Sequence, residues 1–249
     1  MAKKKRIVRD KHLLYTAAVQ SVDADLDFFE RVYRRKHGER PHSLREDFCG
    51  TAALACEWAR RRETHTAIGI DLDRPTLDWG RQRWLPAIGD AAERVQLLCS
   101  DVRAVQRPRV DVIAGLNFSY CVFRRREDLH DYFRSARSSL RDGGMLFLDV
   151  LGGSDASEPI EEPRRIPKSK ALDGTRVPAF TYVWEQVRFN PVDHHFECRI
   201  HFRLANGTRM RRAFQYDWRL WTLPELADVL REAGFAGTEV YVEGWDDDE

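Results

Sequence analysis

The spacing of apolar residues changes several times along the chain, and each change marks an element. Over residues 12–38 the apolar positions recur at helical intervals: Leu13, Leu14, Ala17 and Ala18, then Leu26, Phe28, Phe29, Val32 and Tyr33. Two helices are predicted, the second capped by Asp23 or Asp25 and stopped by Gly38 ahead of Pro41. From residue 44 short apolar runs alternate with helical stretches. Leu44–Ala52 reads as a strand end, a tight turn at Cys49-Gly50-Thr51 and the start of a helix that reaches about Arg62. Ala67–Asp71, Val95–Cys99, Val110–Leu116 and Met145–Val150 read as further strands. Helices fall over residues 74–85, with Pro75 in the first turn, and 127–140, closed by Arg141-Asp142-Gly143-Gly144. Alternating strands and helices imply right-handed crossovers and a mostly parallel sheet covered on both faces. The strand runs are apolar almost throughout, as doubly covered strands are.

After Val150 the pattern breaks. Residues 152–180, rich in Gly, Pro, Ser and charge, read as a loop or flap. Strict alternation then returns over Phe180–Val187 and Phe196–Leu204, and Asn206-Gly207 is a hairpin turn leading into Met210–Tyr216. An antiparallel insert of about three strands is expected. Thr222-Leu223-Pro224-Glu225 is a capping box for a helix to about Ala233, with Gly234 as its stop. Val240–Val242 is expected as a last strand, before the acidic tail Asp246–Glu249. The reading is one domain: a helical cap (1–40), a core (41–151), a flap and insert (152–215), and a terminal helix and strand (216–249).

Composition narrows the class. With 43% hydrophobic residues in 249, the chain supports a full core. No run approaches the roughly 18 apolar residues of a membrane span. The N-terminus MAKKKRIVRDKH leads into no apolar core, so no secretory signal is read and a cytoplasmic protein is expected. Cys49, Cys56, Cys99, Cys121 and Cys198 are odd in number and form no C-x-x-C pair, which suits reduced thiols. Residues 1–40 carry eleven Lys/Arg against six Asp/Glu, and residues 222–249 one Arg against nine acids. The basic run Lys3–Arg6 is short and reads as a solvated terminus in preference to a nucleic-acid arm. Arg124-Arg125-Arg126 is the other basic run. His194-His195 lacks a third ligand at usable spacing, so no metal site is predicted.

In open α/β sheets ligands bind beyond the carboxyl ends of the strands. Here those ends carry Glu46/Asp47, Asp71, Asp101 and Asn117. The Gly50 turn offers free backbone N–H groups at a helix start. A dinucleotide site would want G-x-G-x-x-G after the first strand, and only one glycine stands there; the P-loop pattern is also missing.

In their order, these motifs resemble the class I S-adenosylmethionine-dependent methyltransferases. Glu46-Asp47-Phe48-Cys49-Gly50-Thr51-Ala52 resembles that family's first motif, Gly69-Ile70-Asp71 its second-strand acid, and Cys99-Ser100-Asp101-Val102 its third. Asp111-Val112-Ile113 and Asn117-Phe118-Ser119 fall where the fourth motif lies, and Leu226–Phe235 resembles the helix before the terminal hairpin. The resemblance covers about residues 44–151 and 216–245. It implies a Rossmann-like α/β fold with a seven-stranded sheet, and S-adenosylmethionine as cofactor. Cofactor contacts are then expected from Tyr15, Glu46, Phe48, Cys49, Gly50, Thr51, Asp71, Leu72, Asp101, Val102, Asn117 and Phe118, with Asp71 on the ribose and Asp101 on the adenine. Phe48 stands at the first glycine of the motif and Ala52 at the last. Either the loop is built differently, or Asp47 takes the place of Glu46 as the acid.

The reaction implied is methyl transfer to a small-molecule acceptor through an N or O nucleophile. Asn117 and Tyr120 are the candidates for a catalytic role. Tyr182, Trp184, Arg199, His201, Arg203, Tyr216, Trp218, Arg219 and Trp221 are candidates for a lid, whose aromatic and Arg side chains would suit a cationic or a carboxylate acceptor. The insert is also a candidate homodimer surface. Two other readings stay open: an RNA or protein methyltransferase, and a cofactor-binding homologue without turnover.

Overall fold

The computed structural model describes residues 9–152 and 154–242. Two helices open the chain, α1 (Lys11–Val19) and α2 (Val22–His37). Asp10 caps α1, its carboxylate accepting from the His12 and Leu13 N–H groups. Neither acid proposed as the cap of α2 serves there. Ser21 holds that position without a side-chain bond. Asp23 is instead drawn to Arg61 at 3.0 Å, and Asp25 turns inward. Gly38 ends α2 at φ 73, a left-handed conformation that glycine adopts at no steric cost.

The central sheet contains β1 (Ser43–Asp47), β2 (Thr66–Asp71), β3 (Val95–Cys99), β4 (Val110–Gly115) and β5 (Leu140–Leu148), all parallel, in the order β3-β2-β1-β4-β5. The strand order reverses between β1 and β4, which puts the crevice of this fold at their carboxyl ends. Helices α3 (Ala53–Arg61), α4 (Arg74–Ala87) and α5 (Arg126–Ser139) are the crossovers. Alternate residues divide the core. Ala67 and Val112 face α2, α3 and α4, whereas Ile68 and Ile113 face α5 and the last helix, α6 (Leu223–Glu232). The capping box that opens α6 is complete at Thr222 and Glu225.

The buried Arg45 locks β1 to its neighbours. Its guanidinium donates twice to Asp47 (2.6 and 3.2 Å), and to the Val102 carbonyl, the Val105 carbonyl and Ser139 Oγ (2.7, 2.5 and 2.8 Å). The strand end therefore cannot shift relative to the loop after β3 or to α5.

Three expectations are corrected. The described residues pair five strands in the central sheet where the resemblance implied seven, and Val240–Val242 form no ladder and are exposed. The chain after β5 instead builds a sheet of its own, β11-β10-β9-β6, from β6 (Ile160–Ile166), β9 (Phe180–Phe189), β10 (His195–Leu204) and β11 (Arg209–Arg219). The insert thus has four strands, and part of the expected flap is the edge strand β6; a short hairpin, β7 (Ser169–Lys170) with β8 (Arg176–Val177), follows it. The run IEEPRRI lacks alternation and holds a proline, which an edge strand tolerates. Third, Arg141–Gly144 is a bulge inside β5: Leu140 pairs with Val110, and pairing resumes with Met145 at Val112. The basic run Lys3–Arg6 and the tail Asp246–Glu249 lie outside the described residues. Among the described residues no helix is long and apolar enough to cross a membrane.

Helix α4 supports the loop after β1 by direct backbone contact. A Cβ at Gly80 would stand 2.0 Å from the Thr51 carbonyl oxygen, and one at Gly69 would meet Leu97, Cys49 and Ala52 at 2.9 to 3.1 Å. Gly80→Ala sets two effects against each other. Helix propensity favours alanine by about 1 kcal/mol. The overlap forces the helix off the loop, at a cost of ~3 kcal/mol. We expect a net loss and a Tm lower by roughly 4–8 °C; a thermal melt with an unchanged or raised Tm would refute this packing.

Candidate functional site

The loop after β1 leaves the strand through a strained turn. Phe48, Gly50 and Ala52 take φ values of 54, 53 and 61. Phe48 therefore keeps the backbone course that a glycine would give, and does not force a different loop. Its ring packs against Phe123 and Tyr132, with centroids 5.8 and 5.4 Å apart. That burial offsets the roughly 1–3 kcal/mol such a residue costs. The Ala52 N–H donates to the Cys49 carbonyl and closes the turn. A second strained pair stands after β4, where Asn117 and Phe118 take φ 57 and 55. Their two N–H groups donate to the Asp149 carboxylate at 2.7 and 2.9 Å.

The structure separates Glu46 from Asp47. Asp47 faces Arg45 and also accepts from the Tyr132 hydroxyl at 3.2 Å. Glu46 faces the opposite side, accepts from the Ala55 N–H at 2.9 Å and lines a narrow cleft with Asp25, Gln20, Leu116 and Asn117. Gln20 Oε1 has no hydrogen-bond partner among the described residues. Asp71 accepts from the Gly50 N–H at 2.7 Å and the Asp73 N–H at 2.8 Å, and so ties the end of β2 to the turn. Leu72 is exposed at the lip.

The acids here share one electrostatic character. Burial pushes the Glu46 carboxyl up to about 8, with Asp71 and Asp25 adding to the rise. Burial raises Asp25 to about 6, helped by the charge of Asp149, and raises Asp149 to about 6 against the two N–H bonds it accepts. Asp71 is raised by the same cause. A set of buried carboxylates without a facing Lys or Arg stores repulsion that a cation relieves. Asp25 and Asp149 are not among the site residues expected from the sequence. Asp25 read as a helix cap, and Asp149 as part of an apolar strand; its place beside the acids of β1 and β2 arises only when β5 lies next to β4.

The remaining expected residues divide. Asp101 stands at the rim of the site, half-exposed. The Arg103 guanidinium, which donates to both its oxygens, holds its carboxyl below the usual range. Val102 is buried, and its carbonyl accepts from Arg45. Cys49 and Thr51 are buried beneath the turn, and burial pushes the Cys49 thiol far up, out of nucleophile range. The Tyr120 hydroxyl is committed to the Asp149 carbonyl at 3.0 Å. Tyr15, on α1, shares a hydrogen bond with Tyr216 of the insert, and burial raises its phenol.

Register sorts the lid candidates. Along β10, Cys198, Ile200 and Phe202 are buried, while Arg199, His201 and Arg203 point the other way. Tyr182, Trp184, Tyr216 and Trp218 pair onto the inner rows. Tyr216 and Trp218 stack at 4.2 Å. On the outer face His201 and Arg199 meet Glu185 at 2.8 and 3.6 Å. Trp221 is in the core under Arg219. The basic run is balanced: Arg124 meets Asp217, Arg125 Glu127 and Arg126 Glu232. His195 also binds Asp217, and among the described residues no group of side chains forms a metal cage. A wider groove along α2, lined by Asp27, Glu30, Arg31, Arg34 and Arg35, is a charged surface crevice remote from the strand ends.

No protein-family model matches the chain, and no curated protein matches it. Solved structures do. CalS10, an amino pentose methyltransferase from Micromonospora echinaspora solved with S-adenosylmethionine bound, aligns over 94% of this chain and 91% of its own, at 14% identity and a TM-score of 0.69. DesVI of Streptomyces venezuelae aligns over 90% and 87%, at 16% and 0.68. An S-adenosylmethionine-dependent methyltransferase from Clostridium acetobutylicum ATCC 824 aligns over 89% and 85%, at 16% and 0.66. The fold is that of the class I methyltransferases.

The raised Glu46 has a signature in stability. An acid whose folded pKa, about 8, exceeds its ordinary 4.5 contributes stability that is fully present below 4.5 and lost as pH rises through 8. The stability of wild type relative to Glu46→Gln should therefore fall between pH 5 and 9, by up to roughly 4 kcal/mol. Urea unfolding of both proteins across that range reads it, and a flat difference would mean that Glu46 is ionised in the fold.

Proposed function

We propose that this chain is an S-adenosylmethionine-dependent methyltransferase acting on a small-molecule acceptor with an N or O nucleophile. One observation carries the reading: buried carboxylates gather at the switch point of the sheet around a tight glycine turn, whose Gly50 N–H is tied to Asp71. S-Adenosylmethionine brings a sulfonium and an ammonium to such a site, and supplies a methyl group activated for in-line displacement. The residues present fit it. Among the described residues Asp25, Glu46 and Asp71 have no cationic partner, and the Phe48 ring packs against Phe123 and Tyr132. Glu46 and the Gly50 loop would hold the methionine end, Asp71 the ribose hydroxyls, and Asp101 with Val102 the adenine edge.

The protein's own task in such a reaction is positioning and exclusion of water. Helix α1 and the inner face of the insert lie over the strand ends and share one apolar cluster, including Leu14, Ala18, Tyr182 and Phe202. Asn117 and Phe118, held rigid by Asp149, form the wall at β4. The five free thiols suit the cytoplasm. The relatives in structure include an amino pentose and a sugar N-methyltransferase, which supports a small metabolite as acceptor. The balanced Arg124–Arg126 run gives an RNA acceptor little support.

Calorimetric titration of S-adenosylmethionine and S-adenosylhomocysteine is the test. Wild type should bind both at micromolar concentrations, and Asp71→Ala should bind ~10–100-fold more weakly, since it loses hydrogen bonds to a charged group. Binding without turnover on any acceptor would favour the non-catalytic homologue; no binding of either ligand would end the cofactor reading.

A further inference from the structure

The insert presents two chemically opposite faces, and only one of them looks into the site. Rows across the sheet pair Phe196 with Trp218, Cys198 with Tyr216 and Ile200 with Trp184, all inward. Rings of Trp184, Tyr216 and Trp218 form one aromatic surface, with Trp184 6.5 Å from Tyr216 and 6.4 Å from Trp218. This surface belongs to the same apolar cluster as Tyr120, Cys121 and Val150, the residues flanking Asp149. The cationic residues of β10, Arg199, His201 and Arg203, are on the far side, where Glu185 and Glu161 occupy them. Two cations do reach the inner face. Arg164 lies over Tyr182 and donates to the Ala18 carbonyl, and Lys11 lies over Phe214. Neither stands over the Trp184–Trp218 surface.

Charge accounting points the same way. The strand ends hold Asp25, Glu46, Asp71 and Asp149, all pushed toward neutrality by burial. A carboxylate acceptor would bring one more acid to this group, and among the described residues no Arg or Lys faces it there. An ammonium finds a carboxylate, Asp149, that acts on Tyr15, the hydrogen-bond partner of Tyr216, and with it an electron-rich aromatic surface, the two features that bind organic cations.

From this juxtaposition we infer that the methyl acceptor is an amine, received as its ammonium ion between the Trp184–Tyr216–Trp218 surface and the Asp149 carboxylate, which would take one N–H proton so that the freed nitrogen lone pair bonds the methyl group as its C–S bond breaks. The inference rests on the methyltransferase reading and adds the acceptor class. Of the two acceptor types the lid composition suggested, the register of β10 removes the carboxylate.

The test reads binding without turnover. Three probes of similar shape and different charge, tetramethylammonium, neopentyl alcohol and trimethylacetate, are titrated against tryptophan fluorescence, with and without S-adenosylhomocysteine. Tetramethylammonium should bind at least tenfold more tightly than either of the others. Asp149→Asn should lose about tenfold for the cation alone. Trp184→Leu, a variant that leaves the Asp149 bonds intact, should weaken the cation several-fold and leave trimethylacetate unchanged. Equal or tighter binding of the alcohol or the carboxylate in wild type would overturn the inference, as would cation affinities that neither variant alters. Failure of S-adenosylhomocysteine to bind would instead strike the methyltransferase reading, because the order of the probes is read in its absence too.

Discussion

The site depends on the buried Arg45. An arginine inside a sheet is costly unless every donor is used, and here Asp47, two carbonyls and a serine hydroxyl use them. The consequence is geometric. β1, the central strand, is bound to the loop after β3 and to α5 at the level where the ligand crevice opens. With Asp47 committed to this clamp, Glu46 on the opposite side is the acid left to the cleft. One charged network thus fixes the strand end and decides which of two adjacent carboxylates is left without a cationic partner among the described residues.

From that anchored end the chain makes its most strained moves. Phe48, Ala52, Asn117 and Phe118 all take left-handed backbone without being glycine. Each is held by something specific: ring packing for Phe48, the Gly80 contact beneath the turn, and the Asp149 carboxylate for Asn117 and Phe118. Strain of this kind persists only where its surroundings over-determine it, and such places tend to be ligand sites. The carboxylates add a second stored cost, the burial of acids away from water. Both costs fall at the same sheet edge, and a bound cation relieves the second.

The antiparallel insert completes the arrangement by separating its chemistry between two faces. Arg199, His201 and Arg203 of β10 are paired with acids on the outside, and the tryptophans and tyrosines of the insert are gathered inside, against α1 and the end of β5. The period-two alternation of a strand does this sorting, and a shift of one residue would exchange the faces.

Much of this was legible in the sequence. The alternation of apolar runs with helical stretches determined a parallel α/β core, because strands buried on both sides must be apolar and need helices between them. Of the polar strand ends, Glu46, Asp47 and Asn117 line the cleft, and the alternation after Phe180 with the Asn206-Gly207 turn announced the insert. Other features could not be read from neighbours in the chain. Phe48 in a glycine's place looked prohibitive, because the rings of Phe123 and Tyr132 that stabilise it come from more than seventy residues away. Strand β6 has no pattern of its own and is a strand only because β9 lies beside it. Asp25 and Asp149 join the acids of β1 and β2 through packing across the switch point. Local periodicity is set by burial on one or two faces and is written in consecutive residues. Which carboxylate is paired, which is left unpaired in the crevice, and which face of the insert looks down on it are set by contacts between distant segments, and these only the tertiary structure decided.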